Sequence, residues 1–469
     1  MENDRLLILR NTVEGERPAG FVSYREIGNE DLFGVLKDME LANLVRGKSS
    51  REILLITGIY AREDGTGDSG VIRDAPQQLL VEVLAKELEK NYSFALFVAE
   101  RGTATKEVVY VLERQGFIRP HMADENDKRT IYMVDMHEPL MFLHNLDTTI
   151  KEPFASNPAV LDAVEKNHKK LQITMTKLYP GNLVLSLSSG IMYHRLVDRI
   201  TALNDVPREP LVPRRLGKNM CVPFGKILRG KVVPNTVTKT LHTDKVYEPD
   251  LNSFTIEPFP YYSPLKSQIE TIKSFDRPVI LVDDLVHTAN RLQVLVPQLR
   301  EDGIPIKKVV VGVLSGYGRD LMQCLKVPVE SIYSMPNLRQ WFVESTLYPF
   351  IGGDTVRREE MKVAGLQPSI NMILPYATPR LSGCSREALV EFSACCIENS
   401  RDLFQVLEAE YRKMYAKNLT LSRLSEAVIL PLCPDKGSCM EYDENLAASV
   451  YLENDLETLW RMKEFMIKG

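Results

Sequence analysis

The sequence predicts an α/β protein built from two units and a helical tail. Three observations carry this. Residues 1–140 mix strand-like runs with amphipathic helices, residues 182–315 alternate continuous apolar runs with helices, and beyond about 345 the chain turns mostly helical. Strands that read as unbroken apolar runs between helices are those of a parallel sheet covered on both faces.

The elements follow in order. RLLILR, GFVSYREI and EILLITGIYA have strand character, and APQQLLVEVLAKELEKN is an amphipathic helix. The strand SFALFVAE, the helix TATKEVVYVLERQ stopped by Gly116, and the strand RTIYMVDM complete an α+β unit over 1–140. Residues 141–180 form a connector: a Pro-containing loop, then the helix LDAVEKNHKKLQITMTKLY, ended by Pro180 and Gly181. The parallel-sheet unit spans 181–345. In it LVLSLSSG leads into IMYHRLVDRI, PVILVDDLVHTA into RLQVLVPQLREDG, and KKVVVGVLSG follows. Pro297 stands well inside the second of these helices, which predicts a kink or an early break. Residues 346–469 form the mostly helical C-terminal extension.

Composition excludes several classes of protein. The 469 residues are 44% hydrophobic and 26% charged, with a formal net charge of −5, so nothing points to bulk affinity for nucleic acid or membranes. No apolar run approaches a membrane span. MENDRLLILR has acids where a signal peptide carries a basic flank. Seven cysteines without a dense framework fit a reducing cytoplasm. The expected partners are small-molecule substrates, with self-association compatible and nucleic acid not expected.

The stretch VILVDDLVHTANRL (279–292) concentrates the chemistry. Ligands of parallel sheets bind beyond the carboxyl ends of strands, and Asp283 and Asp284 sit at such an end. Thr288 to Arg291 would open the next helix, whose free amides and dipole favour a phosphate. Carboxylates beside a phosphate make sense if they accept hydrogen bonds from sugar hydroxyls, or if a divalent metal lies between. A sugar phosphate satisfies both halves. The plain alternative has one Asp capping the helix and the other solvated.

The stretch resembles the 5-phosphoribosyl-1-diphosphate (PRPP) motif of type I phosphoribosyltransferases, which has four apolar residues, two acids, two apolar residues, any residue, then Thr-Gly-x-Thr. Residues 279–288 match, while Ala289 stands where that family has Gly and Arg291 where it has Thr. The resemblance implies that Asp283 and Asp284 hold the ribose hydroxyls, and that Thr288, Ala289, Asn290 and Arg291 surround the 5′-phosphate. It implies Mg²⁺ as cofactor, met by the two acids only through ligand or water. Alanine at 289 disfavours positive φ; arginine at 291 exchanges a hydroxyl for a forked cation suited to phosphate.

The order of further elements agrees with the resemblance. Ser188-Ser189-Gly190, between a strand and a helix, corresponds to the diphosphate-binding loop. Residues 213–245 then carry eight Lys or Arg against one acid, Asp244. By itself such a segment is a solvated hairpin or a basic loop able to touch nucleic acid. In this position it is expected to be a mobile lid that neutralises diphosphate through Arg229, Lys231 and Lys239.

Phosphoribosyl transfer proceeds through an oxocarbenium-like state, in which positioning, charge neutralisation and exclusion of water accelerate the reaction. The resemblance thus implies transfer from PRPP to a nitrogenous acceptor, a base or an amine. For the acceptor, Trp341 and Phe342 could stack on a flat base and Arg339 or Arg357 could meet an acidic group; a packed aromatic cluster accounts for the same residues.

In the N-terminal unit, Arg62-x-x-Gly65-x-Gly67 lies between a strand and a helix. It resembles the (Arg/Gln)-x-x-Gly-x-(Gly/Ala) turn of GNAT acetyltransferases, and the order of elements down to Gly116-Phe117 and a last strand is also GNAT-like. This implies acetyl-CoA bound by Arg62, Gly65 and Gly67. Ten residues then intervene before Gln78, and an alternative register places the turn at Arg73 to Gln78. Leu112 stands where that family often has a general-acid Tyr, with Tyr110 nearby. Acetyl transfer, acyl-CoA sensing and a packaging role all remain open for this unit, as does a PRPP-sensing role without turnover for its neighbour. Cys433 with Cys439, and Cys395 with Cys396, lack metal-finger spacing. His287 occupies the unconstrained position of the PRPP motif.

Overall fold

The computed structural model describes residues 4–11, 17–49, 51–61, 74–100, 105–120, 129–213, 215–260, 262–358, 363, 365–436 and 441–468. The chain is a mixed α/β protein that divides into two compact units. The first comprises Met1–Phe142, Met175–Ser186 and Tyr333–Trp341; the second comprises Leu143–Thr174, Leu187–Ile332 and Phe342–Gly469. The N-terminal unit is thus completed by two short segments from much later in the chain.

In the first unit, β1 (Arg5–Asn11), β2 (Arg17–Ile27) and β3 (Ile53–Ala61) run antiparallel in sequence. Helices α1 (Leu32–Leu36) and α2 (Met39–Lys48), absent from the sequence expectation, fill the β2–β3 connection. Their Leu32, Leu36, Leu41 and Val45 bury against Ile53, Leu55 and Leu96, which is why so short a pair is stable. Helix α3 (Ala75–Glu87) starts with proline in its first turn, where the missing N–H costs nothing. Strand β4 (Phe94–Glu100) lies parallel to β3, and β5 (Arg129–His144) antiparallel to β4. Helix α4 (Lys106–Arg114) is capped by the Thr105 side chain, which accepts from the Val108 amide at 3.2 Å. Gly116 ends it at φ +89°, and a Cβ there would lie 2.1 Å from the Asn182 carbonyl oxygen.

The second unit begins with α5 (Pro158–Thr176). Strand β6 (Asn182–Ser188) pairs with β5 in the first sheet, and α6 (Ser189–Leu203) follows it. Then come β7 (Met220–Pro223), β8 (Val237–Thr238), β9 (Thr243–Tyr247), β10 (Phe254–Pro258) and α7 (Leu265–Lys273). Strand β11 (Val279–Val286), α8 (Asn290–Glu301), β12 (Ile306–Ser315), α9 (Gly316–Cys324) and β13 (Val329–Met335) complete the parallel core. The sheet order is β13-β12-β11-β7-β8, with β11 parallel to both β12 and β7. Val279 to Val282 are fully buried between α8 and the opposite face, so β11 is apolar on both sides as the sequence pattern required.

After β14 (Gln340–Val343), which joins the first sheet, and α10 (Glu344–Leu347), the tail adds short strands to the mostly helical extension expected there. Strands β15 (Asp354–Val356), β16 (Gln367–Ile370) and β17 (Leu432–Pro434) form a third sheet with β9 and β10, ordered β10-β9-β15-β16-β17. At three or four residues each, these strands are too short to show a period in sequence. Helices α11 (Arg386–Tyr415) and α12 (Ala448–Lys468) supply the helical remainder. No helix among the described residues is long and apolar enough to cross a membrane.

Candidate functional site

Strand β11 delivers Asp283 and Asp284 to its carboxyl end, between the ends of β7 and β12. Asp284 is buried and Asp283 keeps only slight exposure. The Asp284 carboxylate accepts from the Lys226 amide at 2.6 Å and the Ile227 amide at 3.0 Å, so both its oxygens hold the loop after β7. Asp283 accepts from the Asp284 amide at 2.8 Å, and Arg291 approaches it at 3.9 Å. Gly225 is required at the crossing: a Cβ there would sit 2.5 Å from an Asp284 oxygen and 2.8 Å from an Asp283 oxygen. Burial lifts the Asp283 carboxyl to about 7, with Arg291 opposing the shift and Asp284 reinforcing it.

Cations collect around these acids. Burial pushes the Lys226 ammonium below its ordinary value, with Asp354 acting against that. Arg229 is likewise lowered by burial and by Arg291, and its guanidinium lies 5.1 Å from the Phe259 ring centre. Asp354, at the start of β15, is raised by burial, and Asp244 accepts from the Thr355 hydroxyl at 2.5 Å. The sequence reading named Arg229 but missed Gly225, Lys226 and Asp354. Phe224-Gly225-Lys226 lies inside the basic segment 213–245, where a small residue next to a short apolar run is the available signal.

The turn beyond the acids has an unusual backbone. Ala289 adopts φ +50°, ψ +20°, the left-handed conformation that glycine takes readily, and it does so while 7% exposed. Helix α8 therefore opens at Asn290 with no side-chain cap on its amides. Thr288 is exposed, and its hydroxyl accepts from the Asn290 side chain at 2.8 Å. Arg291 turns back to donate to the Phe224 carbonyl at 3.3 Å. Helix α8 passes through Pro297 and ends at Glu301, so the early break is not found; Leu295, Val296 and Leu299 bury against the sheet and hold the helix through the proline. His287 bonds the Ser315 hydroxyl through Nδ1 at 2.8 Å.

Two other expectations change. The basic segment is not a free lid: Met220–Pro223 is a core strand, and the Lys239 and Leu241 amides bond the Cys221 and Pro223 carbonyls. Buried Met220, Val222 and Leu241 draw it into the core despite its charge. Lys231 lies 4.4 Å over the Tyr193 ring, and Lys239 is exposed. Ser188-Ser189-Gly190 follows β6, a strand of the first sheet, whereas the loop beside β11 is Phe224–Lys226. Ser188 caps α6, accepting from the Ile191 amide at 3.4 Å. Phe342 is 8% exposed and packs on Phe392 at 5.6 Å between ring centres, the packed-cluster outcome, while Trp341 in β14 is 37% exposed. Arg339 pairs with Glu138 and Arg357 with Glu248 and Glu257, which gives both a structural role. Leu112 is buried in the core of its unit. Arg62, Gly65, Gly67, Arg73 and Cys439 lie outside the described residues.

No protein-family model matches the chain, and no curated protein does. Among solved structures, the chain is similar to FeeM, an N-acyl amino acid synthase from uncultured soil microbes, at 18% identity and a TM-score of 0.20, over 29% of this chain and 73% of that one. It is also similar to a purine phosphoribosyltransferase from Pyrococcus horikoshii Ot3 at 12% identity and a TM-score of 0.22, over 33% of this chain and 87% of that one. Likenesses of this size carry no functional weight.

Proposed function

We propose that the second unit binds the ribose phosphate of PRPP at the end of β11 and transfers its phosphoribosyl group to a nitrogenous acceptor. One observation carries the reading: two acids, a left-handed turn at Ala289 and an uncapped helix start at Asn290 follow one another at the carboxyl end of a central parallel strand. The free amides of α8 suit a 5′-phosphate, with Arg291 able to swing from Phe224 onto it. Asp283 suits the ribose hydroxyls, and Arg229 suits the departing diphosphate. Asp284, with an amide hydrogen bond on each oxygen, supports the loop after β7, so magnesium would meet these acids through ligand or water.

A second reading, PRPP sensing without turnover, is favoured by that same engagement of Asp284. Calorimetry with PRPP, with and without Mg²⁺, followed by diphosphate release over a panel of bases and amines, separates the two. Transfer requires binding and release on some acceptor; binding without release leaves the sensor; no binding ends both. Asp283→Asn is the variant of choice, since Asp284 also supports a loop. It should weaken PRPP binding about 10- to 100-fold, the scale of a lost charge-assisted hydrogen bond. Acetyl-CoA-dependent N-acetyl transfer by the first unit is the third reading, and acetyl-CoA binding tests it.

A further inference from the structure

The second unit contains a cluster that none of these readings uses. His144 at the end of β5, His168 in α5 and Glu344 at the start of α10 bring ligand-capable atoms within 4.8 Å of one another. The two imidazole rings meet edge to face at 4.3 Å between centres. Both present Nδ1 to the Glu344 carboxylate: His168 hydrogen-bonds Oε1 at 2.6 Å, and His144 lies 3.8 Å from Oε2. The Glu344 side chain is fully buried, whereas the histidine side chains keep 19% and 16% exposure for His168 and His144. The cluster thus has a closed floor and an open side.

Each of the three residues is held through its surroundings. Next to His144, the Asn145 side chain donates to the Ser345 hydroxyl at 2.9 Å and accepts from the Ser345 amide at 2.9 Å, which sets His144 opposite Glu344. Next to His168, Asn167 and Asn399 exchange side-chain-to-carbonyl hydrogen bonds at 2.8 and 3.0 Å. Asn399 also donates to the Tyr348 hydroxyl at 2.9 Å, and Tyr348 donates to Glu344 Oε1 at 3.2 Å. Supporting hydrogen bonds of this kind orient metal ligands and raise affinity for the ion.

We propose that His144, His168 and Glu344 bind a divalent transition metal of the zinc class. Two imidazoles and one carboxylate are the donor set of three-ligand zinc sites, in which the fourth position holds water. A tetrahedral ion about 2.0–2.1 Å from each ligand atom separates those atoms by roughly 3.3 Å. The present separations of 2.6 and 3.8 Å bracket that value, so small side-chain shifts seat the ion. The proposal does not depend on the acids of β11.

The test is a titration of the chelator-stripped full-length chain with Zn²⁺ and, separately, with Co²⁺. One ion per chain is expected, with the visible absorption of tetrahedral cobalt and a zinc-dependent rise in melting temperature that chelator reverses. His144→Ala, His168→Ala and the near-isosteric Glu344→Gln should each weaken binding at least about tenfold, judged only in variants whose circular dichroism matches the parent. If a histidine variant misfolds, His144→Asn or His168→Asn replaces it. The proposal is overturned if the parent binds no stoichiometric ion, or if the ion remains equally tight in the folded variants.

Discussion

Asp283 is where residue-level physics bears most directly on behaviour. Its carboxyl is raised to about 7 because burial removes water from the charged form faster than Arg291 restores favourable charge. In the unfolded chain the same group titrates near 4. Between about pH 4 and 7 the folded chain holds a proton that the unfolded chain has released, so this residue lowers stability as pH rises through that window. Asp283→Asn should flatten that part of the curve and leave the variant more stable than the parent at pH 8; denaturant titrations at pH 5, 6, 7 and 8 measure it. An unchanged slope would mean that Asp283 is ionised throughout. The motif around this residue was legible because its members are contiguous. His144, His168 and Glu344 were not, because folding alone brings together residues 24 and 176 positions apart, and lone histidines carry no spacing signal.

Among the elements, long ones with a clear period are readable: β3, α3, β4, α4, β11 and β12 stand where the apolar pattern places them, while β5 runs on to His144, past the strand read as RTIYMVDM and into the expected connector. The short strands were not. Met220–Pro223 has four residues among Pro, Gly and Lys, and charge density suggested a lid where burial makes a core strand. Helix α8 shows a local rule overridden by packing, since Pro297 removes one amide from the ladder yet buried Leu295, Val296 and Leu299 keep the helix intact. Pro297→Ala returns the hydrogen bond to the Gln293 carbonyl and should raise unfolding free energy by about 1–3 kcal/mol. A matched pair of urea melts reads this directly, and a loss of stability would show that the proline ring itself packs.

The whole molecule is two units that share one chain in alternation. A cut near residue 140 looks natural from the sequence, but β5 pairs with β6 and β14 as well as β4. A fragment spanning 1–150 lacks both later partners and exposes a long apolar edge, with Leu140, Met141, Phe142 and Leu143 buried only in the complete chain. It should aggregate or give a collapsed state without dispersed amide resonances, whereas the full chain should melt cooperatively. A well-dispersed spectrum from 1–150 would show that those strands are dispensable.

The same alternation sets a timetable for synthesis. At translation rates of about 5–20 residues per second, the roughly 200 residues between the end of β5 and the last residue of β14 take on the order of 10–40 s to emerge from the ribosome. During that interval the part of β5 that meets β14 has no partner, although β4 and then β6 already pair with the strand. Until β14 arrives, that stretch of edge is open to pairing with any other strand it meets.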